Sequence, residues 1–268
     1  MWHLGLAWLP VVIVALTAIM MTMSYTIAVL DGHVATLFPY ISDTGGHPPE
    51  SCFFSQLFNM VAILVLCGSY VRYKQLQCLD GAIPEVVYKL NKVGLFLGAV
   101  VAAGMSLVAN FQDTTIIKAL HFLGASLIFL PGVIYAALHT IISYKLYPEH
   151  NSQIVCTIRL MVTIVTIIAV FLSAILGILA SYQWDPPDGD DDKFKWKPED
   201  GGYIAHLIST FCEWILGLGF VCYYGTFFHD FRKVDLKMNM RLHVDPFPVI
   251  NEETHSISSA WSTEPRYA

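Results

Sequence analysis

Six long apolar segments, separated by short polar stretches, set the pattern of this chain. Five of them contain no Asp, Glu, Lys or Arg, and the sixth contains only Glu213. Each is at least as long as the roughly 18–20 residues that an α-helix needs to cross about 30 Å of hydrocarbon. The pattern predicts an all-α polytopic membrane protein, a six-transmembrane-helix bundle with short loops. The apolar segments are residues 1–30, 51–71, 93–112, 119–144, 160–184 and 201–229. The spans predicted from them lie at about 5–30, 52–71, 90–110, 117–144, 158–182 and 203–229.

Composition strengthens this interpretation. Apolar residues make up 55% of the 268 residues and charged residues only 13%, against about 25% charged residues in soluble domains. Residues 1–231 are predicted to form the transmembrane domain. Residues 232–268 are rich in Ser and Thr and contain Pro246 and Pro248, and they are predicted to form a disordered cytosolic tail.

Basic residues are distributed unequally between the two sides of the predicted membrane. With six spans both termini share one side, and most of the 15 Lys and Arg residues fall on that side. The positive-inside rule therefore places both termini in the cytosol. The opposite side is acidic, and a chain with a formal net charge of −6 offers no basic footprint for nucleic acid.

The sequence contains no short motif for an activated nucleophile, a phosphate-binding glycine loop or a zinc site. We therefore predict that the protein is not an enzyme, and we assign no catalytic residue, cofactor or metal ligand. The expected partners are membrane lipids, together with cytosolic or membrane proteins whose identity the sequence does not reveal.

Glu213 is the most unusual residue of the six spans, because it lies about ten residues, or roughly 15 Å, into the last one. A carboxylate at this depth must be paired or protonated. His206 is about 10 Å away along the helix axis, so we expect a partner on another helix, Asn59 or His121. Two interpretations stay open, a proton-sensitive polar cluster and a hydrogen-bonded contact between helices.

Several blocks of residues occur together in an order and spacing that are typical of one family. They are PYISDTG at 39–45, VRYKQ at 71–75, LNK at 90–92, VANFQ at 108–112, PED at 198–200 with GY at 202–203, and EW at 213–214. Together they resemble the damage-regulated autophagy modulator (DRAM/TMEM150) family, within the wider FRAG1/DRAM/Sfk1 group. The resemblance runs from the first span to about Phe231 and implies a six-helix lysosomal or endosomal membrane protein that promotes autophagy, with links to stress-induced apoptosis.

Two alternatives stay open. The wider group implies a plasma-membrane scaffold that regulates the recruitment of phosphoinositide kinases. The residues themselves leave room for a transporter or channel that uses the Glu213 region.

The resemblance brings no catalytic residues with it, and its motif positions serve as candidate functional residues. They are Pro39, Tyr40, Ser42, Asp43, Gly45, Asn110, Glu199, Asp200, His206 and Glu213. Asp43 is predicted to cap a polar cluster at the outer helix ends, made of Asn59, Asn110, His121 and His206.

Two further groups are predicted on the cytosolic side. Tyr73 and Leu76 fit a Tyr-x-x-apolar sorting motif, for which ordinary juxtamembrane sequence is the competing interpretation. Contact with anionic lipid headgroups is predicted for Arg72, Lys74, Arg232 and Lys233.

Overall fold

The computed structural model describes residues 5–79, 83–112, 118–186 and 192–236. All regular structure within these ranges is helical, and six helices are long and apolar enough to cross a membrane. They are α1 (Trp8–Leu30), α2 (Glu50–Gln77), α3 (Glu85–Asn110), α4 (Lys118–Lys145), α5 (Gln153–Gln183) and α6 (Tyr203–Gly225). A short helix α7 (Phe227–Phe231) follows α6, and a single 3₁₀ turn (Asp43–Gly45) lies between α1 and α2. The predicted six-helix membrane fold is confirmed over the described ranges.

Local sequence signals explain where several helices begin. α5 follows Ser152, whose Oγ accepts a hydrogen bond from the N–H of Val155 at 3.4 Å and so caps the helix. α2 and α3 each follow a proline and carry a glutamate in the first turn, where the helix dipole favours negative charge. α6 follows Gly202, whose φ of 80° is readily available only to glycine.

The helices continue past the apolar spans at one end of the bundle. α2 extends to Gln77 and α3 begins at Glu85, whereas the corresponding spans were predicted to end near 71 and to begin near 90. The predicted spans follow the apolar runs, but helical hydrogen bonding does not depend on side-chain charge, so the helices continue through Arg72, Lys74 and Lys89. We call this end, which also carries α7, the inner end, and the end with the 3₁₀ turn the outer end.

The six long helices form a ring in chain order. Each packs against its neighbours in the sequence, and α6 closes the ring on α1. α3 packs extensively against α4, and α5 against α6, whereas α4 and α5 contact each other much less. The core buried inside the ring includes Met20, Met21, Phe54, Val61, Val65, Met105 and Tyr223.

The chain divides into two units, Met1–Asp235 and Leu236–Ala268, and of the second unit only Leu236 is described. In the first unit the backbone packs beyond residue 231. The N–H of Leu6 donates hydrogen bonds to the carbonyl oxygens of Phe231 and Val234 at 3.1 and 3.0 Å. The disordered tail predicted for 232–268 lies outside the described residues from position 237 onward and stays a prediction.

Candidate functional site

A cavity of about 860 Å³ lies inside the ring of helices. Small-molecule sites occupy roughly 300–1,000 Å³, so the cavity has the size of a site for one small ligand. All six long helices contribute to its lining, chiefly with apolar side chains such as Ile13, Met21, Phe58, Val101, Ile128 and Leu216. Polar side chains concentrate where the cavity approaches the outer and inner ends of the bundle.

The cavity reaches the lateral surface of the bundle between the outer halves of α4 and α5. Phe122, Leu130 and Ile178 line the cavity, yet they are 61%, 54% and 74% exposed. The inner halves of the two helices are joined instead, since Thr140 Oγ1 lies 3.0 Å from Thr163 Oγ1. This lateral opening lies between two helices that are long and apolar enough to cross a membrane, so it faces hydrocarbon rather than water.

Residues 39–45 cross the outer end of the cavity and are tied to α6. The N–H of Ile41 donates a hydrogen bond to Glu213 Oε1 at 3.0 Å. One residue further along α6, Trp214 Nε1 donates to the carbonyl oxygen of Pro39 at 2.8 Å. Side chains of α6 therefore hold the backbone of this loop.

Tyr40 adds a third link between this loop and the bundle. Its Oη lies 2.8 Å from Ser209 Oγ, and Ser209 in turn donates to the carbonyl oxygen of Ser173 at 2.7 Å, so the phenol is the donor to Ser209. Burial raises the pKa of the Tyr40 phenol above its ordinary value, which keeps this donor protonated. The rings of Tyr40 and His206 also pack in a T-shaped arrangement, with centroids 5.2 Å apart.

The structure pairs Glu213 with this loop and not with Asn59 or His121, so the predicted partners are wrong. Asn59 Nδ2 donates to Asn110 Oδ1 at 3.1 Å, and His121 Nδ1 lies 2.7 Å from the carbonyl oxygen of Phe111. The contact of Glu213 therefore joins a loop to a helix. It arises because the backbone after α1 folds back over the bundle, and side-chain identities do not reveal such a backbone donor.

The other candidate positions of the loop point inward. Asp43 and Gly45 are buried, and Ser42 and Asp43 line the cavity. Gly45 is required by packing, because a Cβ at this position would strike the ring of Phe54. Asp43 therefore lies beside the outer end of the cavity.

The predicted outer polar cluster is divided by the structure. His121 and His206 line the cavity together with Asp43. Asn110 is exposed at the contact between α2 and α3, where it pairs with Asn59. The two asparagines therefore form a separate contact beside the cavity.

His206 is enclosed by aromatic rings. It stacks on Trp196 with centroids 4.1 Å apart and planes inclined by 6°. Asp200 Oδ2 accepts the N–H of Lys197 at 2.8 Å, which shapes the turn that carries Trp196. Glu199 is exposed.

At the inner end two buried arginines share one buried aspartate. Arg72 Nη1 lies 2.9 Å from Asp230 Oδ1, and Arg159 Nη2 pairs with Asp230 Oδ2. Their side chains are 2%, 0% and 6% exposed for Arg72, Arg159 and Asp230. Both guanidinium groups also lie against the ring of Phe227, at 5.6 and 4.7 Å from its centroid. This cluster joins α2, α5 and α7.

The prediction that Arg72 contacts lipid headgroups is therefore wrong. Its guanidinium points into the bundle, where Gln75 Oε1 also accepts from Nη1 at 2.7 Å. Position in the sequence places Arg72 at the membrane boundary but does not reveal that Asp230 lies opposite it. The other predicted contacts are exposed at the inner end, as lipid contact requires: Lys74, Arg232 and Lys233.

The structure does not present Tyr73 and Leu76 as an accessible sorting motif. Both lie within α2, and Leu76 is fully buried against Val87 and Ile142. Tyr73 Oη accepts a hydrogen bond from Gln77 Nε2 at 2.8 Å. The last turn of α2 would have to unfold before another protein could bind Leu76.

Fold and site together define a class, a multi-pass helical membrane protein whose first outer loop covers an internal, laterally open cavity. Residues 5–234 match the family described as the Frag1/DRAM/Sfk1/Cwh43P N-terminal domain. The chain belongs to this family, and the resemblance seen in its sequence blocks is confirmed.

Relatives of this chain carry the names of autophagy modulators. The human DNA damage-regulated autophagy modulator protein 2 is 38% identical over 265 residues, covering 95% of this chain and 97% of that protein. The human DNA damage-regulated autophagy modulator protein 1 is 37% identical over 241 residues, covering 90% and 97%. Transmembrane protein 150A of Xenopus laevis is 31% identical over 198 residues, covering 73% and 62%. No solved structure matches the chain.

Sequence reasoning missed the Arg72–Asp230–Arg159 cluster and the cavity. A signal for the cluster was present, since Asp230 and Arg159 lie at the ends of long apolar segments where a solitary charge calls for a partner. The pairing itself depends on how α2, α5 and α7 are rotated. For the cavity no sequence signal existed, because its lining residues are ordinary apolar residues from all six spans.

Proposed function

We propose that this chain is a non-enzymatic regulator of autophagy in the lysosomal or endosomal membrane, with both termini in the cytosol, and that it acts by binding a membrane lipid. The laterally open cavity is the observation that carries this proposal. The names of the relatives support the process, and the cavity supports the kind of ligand.

The lateral opening favours a ligand that arrives from the bilayer. Phe122 and Ile178 border the opening with apolar side chains. A lipid tail passes such a border without leaving an apolar environment, whereas a water-soluble ligand would have to cross hydrocarbon first. The apolar walls then suit an acyl chain.

The polar groups near the outer end favour a zwitterionic headgroup. Asp43 and Glu213 bring carboxylates to the lining, and Lys118 and Lys193 bring ammonium groups. A headgroup that contains both an amine and a phosphate complements both signs of charge. The volume of about 860 Å³ suits a lipid with a single acyl chain, such as a lysophospholipid.

The inner end favours a binding cavity over a conduit across the membrane. Tyr135, Tyr223 and Tyr224 line the cavity there. Behind them the guanidinium of Arg159 lies 5.9 Å from the ring of Tyr223, and the Arg72–Asp230–Arg159 cluster fills the space between the helices. A transporter or channel would need a path through this packed, charged layer.

A second lipid contact is proposed at the inner surface. Lys74, Arg232 and Lys233 are exposed at the same end of the bundle. Exposed cations next to a membrane attract anionic headgroups with about 1 kcal/mol each. This contact would supplement the cavity by holding the inner surface against the bilayer.

A photoreactive single-chain phosphocholine lipid tests the cavity. With the full-length protein in nanodiscs, we expect light-dependent cross-links on α4 and α5 around the lateral opening. Ala174→Trp places a large ring on the cavity lining at the opening and should reduce the cross-linking yield several-fold. Ile175→Trp is the matched control, because Ile175 is 61% exposed and lies outside the lining. Equal yields from both variants and the unsubstituted protein would refute lipid binding at this site.

Cell imaging combined with a measurement of autophagic flux tests compartment and process. In cells that lack the protein, re-expression should restore flux, and the protein should co-localise with lysosomal or endosomal markers. Ala174→Trp should restore less flux than Ile175→Trp. A protein confined to the cell surface would instead support the plasma-membrane scaffold for phosphoinositide kinases.

A further inference from the structure

Three side chains with metal-binding atoms meet where the loop after α1 approaches the start of α2. They belong to His33, His47 and Glu50, and their ligand atoms all lie within 4.8 Å of one another. His33 Nδ1 is 2.6 Å from Glu50 Oε1, and the two imidazole rings lie 4.9 Å apart, inclined by 32°. The spacing of these residues matches no short zinc motif, which is why the sequence predicted no metal ligand.

Hydrogen bonds fix the backbone on both sides of this cluster. The N–H of His33 donates to the carbonyl oxygen of Ala28 at 2.8 Å, directly after Gly32 with a φ of 69°. The carbonyl oxygen of His47 accepts the N–H of Ser51 at 2.8 Å, and Glu50 is the first residue of α2. The three side chains therefore converge from a well-defined corner between α1 and α2.

The cluster contains polar atoms whose bonding capacity is not used within the described structure. Glu50 is fully buried, and its Oε2 has no hydrogen-bond partner. The Nδ1 atom of His47 is likewise buried without a partner. Burying such atoms is unfavourable unless they are paired. A cation between the three side chains would provide a partner for this buried carboxylate and imidazole pair.

We propose that His33, His47 and Glu50 bind one Zn²⁺ ion. Two imidazole nitrogens and one carboxylate oxygen suit zinc, whereas Ca²⁺ and Mg²⁺ prefer oxygen ligands throughout. Zinc bonds of about 2.0–2.2 Å place tetrahedral ligand atoms about 3.3 Å apart, and side-chain rotations bring the cluster to that spacing. The ion replaces the His33–Glu50 hydrogen bond with two coordinate bonds. The fourth tetrahedral position is left for water.

The position of the ion gives it a structural role at the outer surface. The ring of His47 contacts the ring of Phe194 edge-to-face at 5.5 Å, and the N–H of Ala35 donates to the carbonyl oxygen of Phe194 at 2.9 Å. Phe194 also lines the cavity. Zinc therefore holds the two ends of the first outer loop together and fixes the His47 ring that contacts Phe194 of the loop before α6, next to the covered end of the cavity. Zinc binding does not depend on lipid binding.

Zinc content and affinity of the purified full-length protein test the site. The protein carries an affinity tag without histidines, is stripped with a chelator and is titrated with Zn²⁺ against a chromophoric chelator. We expect one bound zinc per chain, with affinity reduced about tenfold or more by His33→Ala and by Glu50→Gln. His150→Ala is the matched control, because His150 follows α4 at the inner end and should leave zinc binding unchanged.

Two measurements use the unsubstituted protein, so their results do not depend on whether a variant folds. Zn²⁺ should slow the proteolysis of the loop between α1 and α2, and Co²⁺ in place of zinc should produce the visible absorption of a tetrahedral site. Unsubstituted protein that retains no zinc at micromolar free metal would overturn the proposal. The same conclusion would follow if the combined His33→Ala and Glu50→Gln variant, monodisperse on size exclusion, bound zinc as tightly as the unsubstituted protein.

Discussion

Individual residues of the inner cluster differ in how fully their hydrogen-bonding groups are used. Arg159 donates to Ser143, Thr226 and Asp230 through separate nitrogen atoms. Arg72 donates to Gln75 and Asp230, while its Nε and Nη2 are buried without a partner in the described structure. Both guanidinium groups depend on a single carboxylate, so the stability of the cluster depends most on Asp230.

Replacing that carboxylate should therefore be the most harmful change in the cluster. Asp230→Asn leaves two buried guanidinium groups without a counter-charge, and we expect it to lower the free energy of unfolding by about 3–5 kcal/mol. Arg72→Met should cost less, because the Arg159–Asp230 pair remains intact. Thermal loss of monodisperse protein in detergent measures both effects.

Asp235→Asn is the control for this comparison, since Asp235 is exposed near the same end and its replacement should change stability by less than about 0.5 kcal/mol. An Arg72→Met variant as unstable as Asp230→Asn would show that Arg72 is as necessary to the cluster as the carboxylate that both arginines share. That outcome would contradict the ranking of Asp230 above Arg72 inferred from the hydrogen bonds.

Pairs of helices differ in how closely their backbones approach. A Cβ on Gly104 of α3 would lie 2.7 Å from the carbonyl oxygen of Gly124 of α4, which is a backbone atom that cannot rotate away. Glycines in membrane helices allow this kind of contact. On the other side of α4 the packing is looser, and this difference leaves the lateral opening toward α5.

Two glycine substitutions should distinguish the effect of close helix packing on stability from the effect of helix propensity. Gly104→Ala forces α3 and α4 apart and should lower the free energy of unfolding by about 1–3 kcal/mol. At Gly68 of α2 an added Cβ would meet its nearest neighbour, the Cδ1 atom of Ile13, at an ordinary 3.8 Å. Gly68→Ala should therefore be neutral or stabilising by up to about 1 kcal/mol. Equal thermal stability of the two variants would argue against a close backbone contact between α3 and α4.

The orientation of the whole molecule in the membrane is defined by the side on which each loop lies. The natural sequence contains no Asn-x-Ser/Thr acceptor for glycans, so introduced acceptors report sidedness without background. Lys193 and Lys195 are exposed in the loop before α6, on the predicted outer side. Glu253 lies in the C-terminal tail, two residues after Asn251, on the predicted cytosolic side.

The loop and the tail should respond differently when each receives an acceptor. Lys193→Asn with Lys195→Thr should add one glycan that a glycosidase removes, because the predicted orientation places this loop on the translocated side. Glu253→Thr, which completes an acceptor at Asn251, should add none. Gel mobility before and after glycosidase treatment is the measurement. A glycosylated tail together with an unmodified loop would reverse the orientation.

Properties that sum over many neighbouring residues could be predicted from the sequence. The six spans follow from about 20 consecutive apolar residues each, and the family follows from blocks such as residues 39–45. The role of that block was predicted only in part, since its residues were candidate functional positions, whereas the structure shows that its backbone is hydrogen-bonded to Glu213 and Trp214. The contacts of individual side chains were harder to predict. Arg72 was expected to contact lipid and Leu76 to belong to a sorting motif, but both side chains are buried.

The sequence by itself determined that this is a six-helix membrane protein, because membrane insertion depends on local hydrophobicity. The order of its short sequence blocks also indicated the Frag1/DRAM/Sfk1 family. Only the tertiary structure decided which polar groups meet. Asp230 faces Arg72 across 158 positions of sequence, and Ile41 reaches Glu213 across 172. Such pairs depend on the rotation and order of whole helices. The cavity exists for the same reason, since it is the space enclosed by all six long helices, and its lateral opening is the gap between the outer halves of α4 and α5.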